Sequence, residues 1–86
     1  MGVFKAEKKP IPVSVIRYDG ENYDEVKKFC GYVTYIPRDK NLYVETLEGK
    51  MKCNPGDFII KGPEGEFYPI KKEIFEKTYD VVGYWK

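Results

Sequence analysis

Eighty-six residues are the length of one domain, and 42% hydrophobic with 16% aromatic residues is enough apolar material for a core and too much for disorder. Fifteen basic against 14 acidic side chains leave a formal charge of +1, and residues 1–43 (8 basic, 6 acidic) match residues 44–86 (7 and 8). That balance argues against duplex nucleic-acid binding, which draws on a basic surplus, and no run approaches the ~18 apolar residues of a membrane span.

Residues 1–9 are polar and predict a flexible arm ahead of a single α+β domain over 10–86. Met1-Gly2-Val3-Phe4-Lys5 runs into charge instead of an apolar stretch, and Ala6 stands where a myristoylation signal prefers Ser or Thr; a cytoplasmic location is expected. Pro10 and Pro12 suit the start of an edge strand, which Val13 to Tyr18 continue with β-branched residues until Asp19-Gly20 stops it. Asn22 with Glu25 three residues on predicts a capped helix to Cys30. Its stripe of Tyr23, Val26, Phe29 and Cys30 faces one way, and Gly31 is placed to end it. Strands follow at Tyr32–Ile36, Leu42–Leu47 and Lys50–Cys53. Pro55-Gly56 then occupy the centre of a type II turn. Phe58-Ile59-Ile60 reads as a central strand, Glu66-Phe67-Tyr68 as its neighbour, and Ile70 to Ile74 as a short helical turn. Tyr79 to Trp85 predicts a last strand. The expected architecture is α+β. One amphipathic helix packs on a bent antiparallel sheet, or partly open barrel, of about five to seven strands, with a core of Val15, Val26, Phe29, Val44, Ile59, Phe67, Ile74 and Phe75.

Three segments, Pro55-Gly56-Asp57-Phe58-Ile59-Ile60-Lys61-Gly62, Gly65-Glu66-Phe67-Tyr68-Pro69 and Ile74-Phe75-Glu76-Lys77-Thr78-Tyr79-Asp80, resemble a family of small phage and prophage proteins. Lys8-Lys9-Pro10 before an apolar strand is similar to that family's opening, so the likeness spans roughly residues 8–80. Ile70 stands where members often carry cysteine, and Phe58 where tyrosine or tryptophan is common. The resemblance implies a viral genome and a bacterial host cytoplasm, and no mechanism.

The chain has no histidine, which removes the commonest general base and metal ligand. Cys30 and Cys53 are too few for a disulfide scaffold or a metal cluster and read as small buried hydrophobes. No glycine pattern cradles a phosphate, and no carboxylate pair stands out. The expectation is therefore a protein that is not an enzyme, with no catalytic residue, metal or cofactor. Two binding readings stay open. A protein interface would use exposed aromatics, with Tyr35, Tyr43, Tyr68 and Trp85 as candidates. A pocket for a small anionic ligand such as a nucleotide would use Arg17, Lys61, Glu66, Tyr68 and Lys71, with Lys72 nearby. A host or phage protein is the expected partner; a homo-oligomer and a minor virion or assembly role are the other options.

Overall fold

Local sequence sets eight elements in the computed structural model, which describes residues 2–7 and 9–83. In chain order they are β1 (Ser14–Arg17), α1 (Tyr23–Cys30), β2 (Val33–Ile36), β3 (Asn41–Thr46), β4 (Gly49–Cys53), β5 (Phe58–Lys61), β6 (Phe67–Ile70) and α2 (Lys72–Thr78). The class is α+β as expected, but the strands form two antiparallel sheets of three rather than one bent sheet, and neither closes into a barrel. The first sheet has the order β1-β5-β6 and the second β2-β3-β4.

Proline explains why the two sheets stay separate. β6 lies against β3 and β4, yet no ladder joins them. In the register Ile16↔Ile59 and Ile59↔Pro69, alternation turns the backbone of Ile59 toward β1 and that of Pro69 away from β5. The missing N–H of Pro69 therefore falls on the edge that faces the second sheet, where it removes a donor.

β5 buries residues on both faces, in keeping with the continuously apolar Phe58-Ile59-Ile60. Ile59 belongs to a core with Tyr18, Val26, Val33, Leu42, Val44 and Cys53. Ile60 points the opposite way, with Val15 and Tyr68 as its cross-strand partners. There Phe75 stacks on Phe58 at 4.1 Å and on Tyr79 at 5.3 Å.

α1 forms over the predicted stripe, with Val26 buried, acids in its first turn and lysines in its last. Gly31 takes φ 83° and donates its N–H to Lys27 O at 2.7 Å, a left-handed stop that a Cβ would strain. The expected capping box is absent. The Asn22 side chain turns backward instead, accepting from Asp19 N and donating to Arg17 O. Asp19 Oδ1 receives the N–H groups of Glu21 and Asn22.

The C-terminal expectations need two corrections. α2 occupies two turns, and of the strand expected over 79–85 the described residues 79–83 form none, Tyr79 finishing α2 with its N–H and ring on Phe75, while Tyr84 and Trp85 lie outside the described residues. Ile74 is 49% exposed rather than core. A short helix resting on a sheet buries one position per turn, and Phe75 takes it. Val15, Phe29 and Phe67 are half-buried, while Val26, Val44, Ile59 and Phe75 are buried as expected.

Tyr18 ties the first core to the loops. It is fully buried, and its hydroxyl donates to Lys40 O at 2.6 Å. Its own N–H donates to Asp57 O, and its carbonyl accepts from Gly56 N. Burial, first of several causes, pushes its phenol from 10.0 up to about 12. A raised folded-state pKa contributes stability that is complete below pH 10.0 and is lost as pH rises through about 12. Tyr18→Phe should cost about 1 kcal/mol at neutral pH, the usual worth of one such bond. It should also make the loss of stability between pH 10 and 12 shallower than in wild type. Urea midpoints at pH 7 and across that window measure both effects.

α2 has little other support. Lys71 at its N-cap makes no side-chain cap bond. Phe75→Ala should therefore cost ~3–5 kcal/mol, undocking α2. Thermal unfolding by circular dichroism would read this as a large fall in midpoint; an unchanged midpoint would show that the aromatic stack contributes nothing.

Candidate functional site

The structure disperses the tyrosines proposed as one exposed cluster. Tyr35 lies in register with Leu42 and Cys53 and meets the Tyr23 ring at 5.3 Å, beside the core. Tyr43 stands in the opposite row of the same sheet, between Thr34 and Lys52. Tyr68 is in the first sheet, its hydroxyl 3.5 Å from that of Tyr79. That contact, then burial and the charges of Tyr79 and Glu66, raise the Tyr68 phenol to about 12. Trp85 lies outside the described residues. No common aromatic patch unites the three described rings.

Of the proposed anion-pocket residues, Arg17, Lys61 and Tyr68 line one long open groove of about 2010 Å³ beside β1, and Glu66 and Lys71 are not in its lining. Arg17 and Lys61 sit at opposite ends of the β1–β5 ladder, paired with Phe58 and Ser14. Lys61 Nζ stands 5.9 Å from the centre of the Phe67 ring. Lys71 is the exposed N-cap position of α2, and Lys72 the first residue of that helix. Glu66 is spent on its own turn. Its carboxylate accepts from Glu64 N at 3.0 Å, and its carbonyl accepts from Gly62 N. Gly62 is buried beneath that carboxylate, where a Cβ would collide with it.

A different site emerges where the two sheets meet. The β3–β4 hairpin turns through Leu47 and Glu48, with Gly49 at φ 103° supplying the left-handed residue of a bulged turn. Thr46 fixes its shape, its hydroxyl donating to Gly49 O at 2.7 Å and accepting from Glu48 N at 3.0 Å. This turn sits over β6. Thr46, Leu47, Glu48 and Met51 on one side, and Glu66 to Pro69 on the other, line a cavity of about 310 Å³. Leu47 is 86% exposed and Met51 39% exposed. The lining carries two carboxylates and no cation. Of the earlier candidates it unites only Glu66 and Tyr68.

The sequence held a signal for this site. Leu42, Val44 and Thr46 share one face of β3, so Leu47 falls outside that row and has no core to enter. A large apolar residue at the tip of a two-residue hairpin turn is unexplained by packing.

Among the described residues, no group of three or more His, Cys, Asp or Glu is arranged to hold a metal ion, and no helix is long and apolar enough to cross a membrane. No protein-family model, curated protein or solved structure matches this chain.

The cysteines are free, Cys53 buried and Cys30 half-buried. Burial raises the Cys30 thiol to about 11. Burial, with Asp57 and Cys30 adding to it, raises Cys53 to about 12. The thiolate is the reactive form, so at pH 8 a disulfide reagent should label the native protein slowly. Urea should release two fast-reacting thiols. Fast labelling of the native state would contradict this burial.

Proposed function

We propose that this chain is a non-enzymatic protein-binding module that receives an apolar side chain of its partner in the cavity between the β3–β4 hairpin and β6. The supporting observation is the exposure of Leu47 and Met51 beside Phe67 and Tyr68, in a cavity of about 310 Å³. That volume lies at the small end of binding pockets and suits one anchoring residue. An apolar centre with a polar rim is how interface anchors are built, and methionine adapts its shape to what enters. Glu48 and Glu66 on the rim favour a basic neighbour beside that anchor and disfavour an anionic ligand. The motif resemblance supports a phage or prophage setting, with the partner a host or phage protein in a bacterial cytoplasm.

Affinity capture from host lysate tests this with paired variants. Leu47→Glu with Met51→Glu changes only exposed residues, so melting should stay near wild type while partner capture falls about tenfold or more. Tyr43→Ala, on the outer row of the second sheet, should leave capture unchanged. Added salt should weaken capture, since the Glu48 carboxylate on the rim is exposed. Equal capture by the double variant, or a nucleotide released from the purified protein with no protein captured, would replace this reading.

A further inference from the structure

Residues 2–7 and 9–13 form neither helix nor strand, and residues 2–7 are all exposed. Phe4 is 83% exposed and Val3 wholly so. An aromatic ring held in water on an unattached segment gains by finding apolar cover. Lys5 follows it directly. Among the described residues, the other large hydrophobics exposed outside the anchor cavity are Val3, Ile11, Tyr32, Ile74, Val81 and Val82. None of these stands next to a lysine or arginine in the sequence. Phe4 is thus the one exposed anchor among them that brings its own cation.

The arm is also placed to reach that cavity. β1 and β6 run in the same direction, since each is antiparallel to β5. The arm before Ser14 and the turn before Phe67 therefore leave the first sheet at the same end. Ser14 is in register with Lys61, and Lys61 with Phe67, so Ser14 stands two strand spacings, about 10 Å, from the β6 wall of the cavity. Phe4 precedes Ser14 by ten residues, a length that spans up to about 33 Å when extended. The chemistry matches as well. Leu47 and Met51 offer apolar cover to a phenyl ring, and the exposed Glu48 carboxylate, in a lining without a cation, offers a partner to Lys5.

We propose that the chain's own arm closes the anchor cavity and that a partner must displace it, with Phe4 entering as the anchor and Lys5 meeting Glu48. The inference rests on the partner-binding reading of that cavity and adds its regulation. The structure describes the open form, with the arm exposed. A segment tethered this closely acts at an effective concentration on the order of millimolar. That is enough to compete for a site holding one side chain, and too little to shut it against a partner with contacts beyond the anchor. Only open molecules bind, so the arm lowers the apparent affinity for every partner by the open fraction.

Two measurements on the full chain test this. With no partner present, nuclear Overhauser contacts should join the Phe4 ring to the methyl groups of Leu47 and Met51 and persist on dilution. Phe4→Ala should abolish them and shift those methyl signals. Phe4 is exposed in the open form, so this variant should melt as wild type does. In host lysate, Phe4→Ala should raise capture of the partner about threefold, the gain from freeing a cavity closed in about two thirds of molecules. Lys5→Glu should give a smaller rise. Methyl signals indifferent to Phe4→Ala overturn the proposal, as does unaltered capture of a partner that Leu47→Glu with Met51→Glu loses. Contacts that vanish on dilution also overturn it, since they would assign the arm to the cavity of a second copy. If the Leu47→Glu, Met51→Glu variant captures as wild type does, the partner-binding reading falls separately, and the methyl contacts alone decide whether the arm docks.

Discussion

A buried phenol must find an acceptor, and the acceptor chosen by Tyr18 organises this small fold. Its hydroxyl reaches Lys40 O in the loop before β3, while its backbone clasps Gly56 and Asp57 in the turn before β5. One residue thus fastens the end of β1, the loop linking β2 to β3 and the crossing between the sheets. The type II turn at Asn54–Asp57 is closed by Asp57 N to Asn54 O, and Gly56 supplies its φ of 100°. That turn carries the chain from the second sheet into the first, so its attachment to Tyr18 holds the sheets in one orientation. The exposed ion pair of Lys40 with Glu21 lies over the same junction and adds little by comparison.

β5 divides the apolar interior into two unequal parts. On the Ile59 side, residues from α1, β2, β3 and β4 converge. On the Ile60 side, the cover is α2, a helix of seven residues begun by a lysine that caps nothing. Stability therefore falls from the Tyr18 side of the molecule toward the C-terminal side, as local opening energies do in most proteins. The half-exposed Ile74, together with Val81 and Val82, follows from the same thinness: among the described residues no further element covers them.

Local patterns in the sequence carried the elements well and their assembly poorly. The stripe of α1, its glycine stop, the β3–β4 alternation and the double burial of β5 are nearest-neighbour effects that periodicity encodes. Partition into two sheets depends on the orientation of the Pro69 nitrogen in the register, which a residue count cannot supply. Tyr18 was readable only as the end of a strand, because its worth lies in a bond across 22 positions. The candidate site fared worst. Residue type alone groups the tyrosines, whereas the register sets Tyr35 and Tyr43 in opposite rows of one sheet; Arg17 and Lys61, at the two ends of one ladder, share a groove with Tyr68 but not with Glu66 or Lys71. Leu47 was available to a stricter test, since a large apolar residue out of phase with its strand has no structural employment.

β1 and β6 are opposite edges of one sheet, with β5 between them. The anchor cavity rests on the β3–β4 hairpin and β6 and not on the weakly held α2, so its shape does not depend on α2 staying docked.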